Sequence, residues 1–325
     1  MRYAARKLLT LLFTMVIVSL LTFAAFSLIP GDPATARLGM DAAPEEVAAL
    51  REAMGLNRPL GVRYLSWLAG FFTGDLGSSY SYSSSVSALV GQKLPATLAL
   101  SLLSFSLVVL ISIPLGVRSV GRAARRRTDA ARTAVNQLLM ALPPFFTGIL
   151  LTWLFGTGLR VFGVRLQLFV PGRLPAFSVH PGGFLLYLLF PAVAVAVPRI
   201  AMTVRMLHST LLREMNQDYV RTSISRGSDR AGVLYRHVLK NAMVPVVAFL
   251  AQTMAEVVAG SIVVEQVFSV PGLGRLLLGS IGSRDWPVVQ AIVVILAFWV
   301  VLAGTVGDLI AQRLDPRLRL GGDRR

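Results

Sequence analysis

Cysteine is absent from this 325-residue chain, so disulfides, thiol nucleophiles and cysteine-ligated metals are excluded. Histidine is nearly absent. His180, His208 and His237 are too far apart in sequence to form a ligand-spaced pair. No Gly-Lys dipeptide occurs, so the chain has no GxxxxGK[ST] phosphate-binding loop. Neither HExxH nor GxSxG is present. These absences leave no catalytic and no metal-ligating residues to name. Charge is scarce as well, at 15% of residues, against roughly a quarter in a soluble domain.

What is abundant is apolar sequence, 54% of the chain. A hydrocarbon core about 30 Å thick takes roughly 20 apolar residues per helix. Six runs qualify: 8–29, 97–117, 133–159, 183–206, 244–264 and 288–311. The first is longer than the roughly 7–15-residue core of a signal peptide and reads as a retained span. Pro143-Pro144 is expected to kink the third. Arg199 and Arg205 are expected to snorkel at the inner end of the fourth. Asp308 lies near the end of the sixth.

The charge that remains is mostly of one sign, 32 Lys and Arg against 16 Asp and Glu. It lies in short segments between apolar runs, which fits the positive-inside rule better than a nucleic-acid-binding domain. Segments 1–8, 118–132, 199–241 and 313–325 hold 22 of the basic residues; segments 31–95, 158–184 and 269–288 hold ten. The basic set, with both termini, is therefore assigned to the cytoplasm.

Two loops carry further information. In the outer segment 30–95, Pro44, Glu45 and Glu46 open a helix that Gly55 stops. A second stretch carries Tyr64, Trp67, Phe71 and Phe72, residues suited to a membrane interface. Together they predict a small helical cap. SSYSYSSS, from Ser78 to Ser85, is expected to be a flexible loop. In the inner segment 207–241, DYVRTSISR (Asp218 to Arg226) predicts a short helix closed by a left-handed Gly227. Ser228 is expected to cap a second helix with Asp229 in its first turn and Arg236, His237 and Lys240 at its end. Such an element is either a plain connector or a rigid docking knob for a cytoplasmic partner, and composition does not choose. Glu256, with Gln252 one turn before it, stands inside the fifth run. A charge there costs at least ~2.5–3.5 kcal/mol on insertion scales. It either lines an aqueous translocation path or makes a structural pair with Gln252 or a facing helix.

Several motifs recur together in order. YVRTSISRGSDRAGVLYRHVLKNAMVPV spans Tyr219 to Val247, and FSVPGLGRLL is followed by SRDWPVVQ. IPGDPA, MGLNRPL, RYLSWL, GDLGSS, LPATLALS and LPPFFTGILL precede them, and DPRLRL closes the series. In this the chain resembles the inner-membrane permease subunits of bacterial ABC importers for dipeptides, oligopeptides and nickel, over nearly its whole length. Two departures stand out: Ile224 where a basic residue is common, and no asparagine near Gly304.

The resemblance implies an all-α integral membrane protein with about six transmembrane helices, the type I importer permease fold, and the cap between helices 1 and 2. It implies an N-terminal span (1–29), the cap (30–95), a core with helices 2–6 (96–312) and a cytoplasmic tail (313–325). It implies a multi-pass protein of the bacterial inner membrane that works with a second homologous permease, two ABC ATPase subunits and an extracytoplasmic binding protein. ATP and Mg belong to the ATPases, and this chain holds no cofactor of its own. The solute is a peptide, nickel, a metallophore or a similar compound. The ATPase-coupling loop is expected at Asp218, Tyr219, Arg221, Thr222, Arg226, Gly227, Arg236, His237 and Asn241, with Tyr219 filling a pocket of the ATPase. Two other readings remain beside it, a stand-alone secondary transporter or channel and a membrane-embedded enzyme.

Overall fold

The computed structural model describes residues 2–28, 32–39, 42–121, 126–157, 159–161 and 164–314. Ile29 to Gly31, the motif Asp315 to Leu320 and the rest of the tail lie outside the described residues.

The chain opens with α1 (Arg2–Ser27). Three short helices make the cap: α2 (Pro33–Leu38), α3 (Pro44–Ala53) and α4 (Leu60–Thr73). As the sequence predicts, α3 has Pro44 in its first turn and ends before Gly55, whose φ is +65°. The aromatic stripe of α4 folds onto α1. Tyr64 and Trp67 pack on Phe23, and the Tyr64 hydroxyl meets Ser19 Oγ at 2.9 Å.

Then come α5 (Val86–Gly121), α6 (Arg126–Ala141) and α7 (Pro144–Leu151), the last continued by a π turn at Thr152–Gly156. A small antiparallel hairpin, β1 (Leu159–Val161) with β2 (Val164–Leu166), leads to α8 (Pro181–Met215). Helix α9 (Asp218–Ser225) follows, then α10 (Arg230–Val233), which passes through a π turn at Leu234–Val238 into α11 (Leu239–Val267). Helix α12 (Leu273–Gly282) and α13 (Trp286–Leu314) complete the described chain.

Among the described residues, five helices are long and apolar enough to cross a bilayer: Ala5–Ser27, Val86–Val120, Pro181–Met215, Arg230–Val267 and Trp286–Arg313. The expected third span is not one helix. It breaks between α6 and α7 by 95°, because Pro144 starts a new helix and Pro143 disfavours helical backbone at Leu142. The segment nevertheless has to cross. Helices α5 and α8 run parallel: Leu100 shares one core cluster with Leu188, while Gly116, farther along α5, abuts Leu207, farther along α8. The chain between them must therefore return to the face on which α8 begins. Lys7 Nζ on α1 donates to Asp308 on α13 at 2.5 Å, which places the first turns of α1 and the last turns of α13 on one face.

Three core clusters stack along the bundle. Leu100, Leu188, Val195, Val257 and Phe268 fill the centre; Leu207, Leu211, Val220, Val238 and Val246 fill the end near α9; Val86, Leu273, Leu277, Val288 and Ile292 fill the opposite end. At the crossing of α11 and α13 a side chain on Gly307 would run into Ala251, so glycine sets their approach. Helix α5 begins at Val86, so the boundary expected at 95/96 falls inside a helix.

The serine-rich stretch is not a free loop. Ser78 bridges to Ser85, and Ser79 N–H donates to Ser84 C=O at 3.0 Å. The buried Asp285 carboxylate accepts from Ser79 Oγ at 2.5 Å, Tyr80 N–H at 3.0 Å and Ser81 N–H at 3.2 Å.

Candidate functional site

A 35-residue helix is about 50 Å long, more than the ~30 Å hydrocarbon thickness. Helix α8 therefore projects past the bilayer and carries α9 clear of it. Thr222 C=O accepts from Arg226 N–H at 3.1 Å; Ile224 C=O accepts from Gly227 N–H at 2.9 Å; Ser223 C=O accepts from Ser228 N–H at 3.1 Å. The last two bonds form a Schellman cap, and Gly227 takes the left-handed φ of +88° that it needs. No atom lies within 4 Å of where a Cβ would sit on Gly227, so backbone conformation alone requires glycine there.

Two details differ from expectation. Asp229, not Ser228, caps the next helix: its carboxylate accepts from Ala231 N–H at 3.1 Å and Gly232 N–H at 3.0 Å. Nor does that helix end at Arg236, His237 and Lys240. It runs through the π turn into α11, so Arg230–Val267 is one 38-residue helix. The α9–α10 element is thus joined directly to a long apolar helix.

Val220 anchors α9, buried among Leu211, Val233 and Val238. Tyr219 also turns inward and packs partly on this cluster. Its hydroxyl donates to Glu214 Oε2 at 3.0 Å and it hydrogen-bonds Asn241. Burial pushes its phenol above the ordinary range, which the Asn241 bond opposes and Glu214 reinforces. Tyr219 thus clamps α9 to its own chain, while its side chain stays partly exposed. Asp218, Arg221, Thr222, Arg226, Gly227, Arg236 and His237 remain exposed, as does Asn241. Arg221 comes only to 4.0 Å from Asp218, with both side chains largely in solvent.

The second set of residues lies within the bundle. Arg199 is not at the inner end of α8, as its sequence position suggested. It stands mid-helix, because α8 continues to Met215, and its Nη1 binds Glu256 Oε2 on α11. Gln252 Nε2 donates to Glu256 Oε1 at 3.2 Å. Glu256 thus has both the partners considered for it, Gln252 and a facing helix. It is also still 34% exposed, on a face of α11 that carries exposed Gln252, Ala259, Val263 and Gln266. That face is not covered within the described residues.

One polar centre gave no sign in the spacing. Glu265 is fully buried and accepts from Thr97 Oγ1 at 2.6 Å, Gly274 N–H at 2.7 Å and Arg275 N–H at 3.2 Å. Leu273 N–H donates to Thr97 Oγ1 at 2.7 Å. A carboxylate on α11 thereby satisfies the first turn of α12 and ties both to α5. The FSVPGLGRLL motif supplies this first turn of α12. The glycines matter here because Gly274 sits against the backbone of Ile262 and the Glu265 carboxylate.

A bundle of long apolar helices, broken once, with a helix–glycine–helix element projecting between two of them, defines a polytopic membrane protein. The chain belongs to the binding-protein-dependent transport system inner membrane component family, whose model matches residues 108–320; the family's N-terminal model matches residues 1–101. It is similar to the oligopeptide transport system permease protein AppB of Bacillus subtilis, with 34% identity over 93% of this chain and 94% of the relative. A Brucella abortus protein named as a peptide transport system permease is 37% identical over 94% of this chain and 95% of the relative. The methionine ABC transporter MetNI, solved in inward-facing conformations, shares the fold with a TM-score of 0.52, 21% identity, and coverage of 70% of this chain and 96% of that one. The chain is accordingly a multi-pass inner-membrane protein and the permease subunit of an ABC importer.

Proposed function

We propose that this chain forms half of a translocation pathway for peptides, closed by a second homologous permease and driven by two ATP-binding subunits. An extracytoplasmic binding protein delivers the solute. Relatives named for peptides favour that class over nickel or metallophores. ATP and Mg are bound by the partner subunits, which supply all the hydrolysis.

The observation that carries this reading is the build of α9: its core side is locked by Val220 and Tyr219, while its outer side is exposed. In this reading the ATPase docks on Asp218, Arg221, Thr222 and Arg226. Gly227 sets the angle to α10, and Arg236, His237 and Asn241 border the contact. Because α10 continues into α11, a rigid-body push on α9 reaches the span that bears Gln252 and Glu256 and biases inward-open against outward-open states. Those two residues, with Arg199, line the path on the uncovered face of α11. The face that carries α9 is the cytoplasmic one, and both termini lie on it.

The test is co-purification of the tagged subunit, expressed with its neighbouring genes, in mild detergent. The expected result is stoichiometric recovery of an ATPase and a second permease, with ATP hydrolysis stimulated by the binding protein. A lone subunit that transports without them would overturn the proposal.

A further inference from the structure

A cavity of about 880 Å³ opens between α5, α6 and α8, toward the end of the bundle that bears α9. Its lining includes two guanidiniums and an imidazole. Arg118 comes from the last turn of α5, and Arg205 and His208 come from α8. Ser119 Oγ and His208 Nδ1 lie 2.6 Å apart and fasten the two helices at its floor. On the α6 side, Asn136 Nδ2 donates to Ala201 C=O at 3.1 Å, which holds that wall in place. Among the described residues no acidic side chain lines the cavity, and neither Arg118 nor Arg205 has a carboxylate partner. Leu115, Val135, Leu139 and Val204 give the cavity an apolar stretch, beside the neutral Thr133, Gln137 and Ser209.

We infer that this cavity binds an anionic phospholipid, with the headgroup phosphate between Arg118 and Arg205 and an acyl chain along the apolar wall. The placement fits. Arg205 stands about 36 Å along α8 from Pro181, slightly more than one hydrocarbon thickness, and so near the plane of the inner headgroups. Two guanidiniums without counter-charges among the described residues, next to a wall suited to hydrocarbon, match an amphiphile with an anionic head. A soluble anion would leave the apolar wall unused. Basic pockets between membrane helices on the cytoplasmic side are a recurrent way of holding such headgroups. The inference does not depend on which solute the importer carries.

The test uses the assembled importer, released from nanodiscs of phosphatidylglycerol and phosphatidylcholine and weighed by native mass spectrometry. Each cation near the headgroup plane contributes about a fivefold change in affinity, so the pair contributes about thirtyfold. Wild type is expected to retain phosphatidylglycerol preferentially. The double variant R118Q/R205Q should lose that preference by about this factor while phosphatidylcholine retention stays the same. The double variant R118K/R205K keeps the charge and should keep most of the preference, which separates a charge effect from misfolding. Equal retention by R118Q/R205Q would overturn the proposal, as would loss of both lipids together or loss of the preference in R118K/R205K. Displacement of phosphatidylglycerol by millimolar inorganic phosphate would make this a soluble-anion site and also overturn it. No lipid on the wild-type assembly would assign the cavity to the subunit interface instead.

Discussion

Single residues in this protein act through partners distant in sequence. Glu265 and Thr97 are 168 positions apart, yet their contact joins three helices. Glu265→Ala leaves two backbone N–H groups and a hydroxyl buried without acceptors, at about 1–3 kcal/mol for each unsatisfied group. A marked drop in the thermal midpoint of the purified complex is expected, with a smaller one for Glu265→Gln, whose amide oxygen still accepts. An Ala variant as stable as wild type would show that the contact contributes little. For Arg199 and Glu256 the expectation is non-additivity. Removing either partner leaves a half-buried charge, so R199Q or E256Q alone should impair folding more than the two together. Additive losses in that double-mutant cycle would deny the coupling. Gly227 was legible in the sequence because a left-handed helix end is a local event. Glu265 was not, because its acceptor role depends on where α5 and α12 arrive in space. Asp285 was hidden for the same reason, and the serines it fixes were mistaken for a free loop.

Among the elements, α9 and the helix after it are the ones through which the proposed mechanism passes motion on. Gly227→Val forces a β-branched residue into left-handed backbone, at a cost of about 1–3 kcal/mol. Relieving that strain turns α9 relative to α10. ATP hydrolysis is expected to persist while transport per ATP falls at least about tenfold, whereas Gly227→Asn, which tolerates that conformation, should be milder. Normal transport by Gly227→Val would remove the hinge from the mechanism. The π turn at Leu234–Val238 allows a second experiment. A π turn is one residue inserted into an α-helix, so deleting Tyr235 closes it without changing the register of either flank. The complex should still assemble, with altered coupling; loss of assembly would show that the turn is needed for folding. The sequence showed a glycine-closed helix here but not that its successor is continuous with a span. Arg236, His237 and Lys240 looked like a basic helix end, and only the uninterrupted backbone hydrogen bonding shows otherwise.

At the scale of the whole molecule, hydropathy found every span, because each needs a continuous apolar run whatever surrounds it. It placed ends poorly, since a helix that continues into water loses its apolar signature before its hydrogen bonds. That is why α8 appeared to stop near Met206 and Arg199 appeared to be terminal. The 95° break was legible only as a kink at Pro143-Pro144. If α6 and α7 dipped in and returned, five crossings would put the termini on opposite faces. The parallel run of α5 and α8 and the Lys7–Asp308 bridge both require that the segment crosses. Charge then selects the face. Moving Arg199 into the bundle still leaves 21 basic residues on the α9 side against ten on the other. Green fluorescent protein fused to either end should therefore fluoresce, since it folds in the cytoplasm, and alkaline phosphatase inserted between α3 and α4 should be active outside it. Termini on opposite faces would mean that the broken pair is re-entrant. Both termini outside, with the cap inside, would keep the crossing but turn α9 away from any ATPase, and the docking role proposed for it would be untenable.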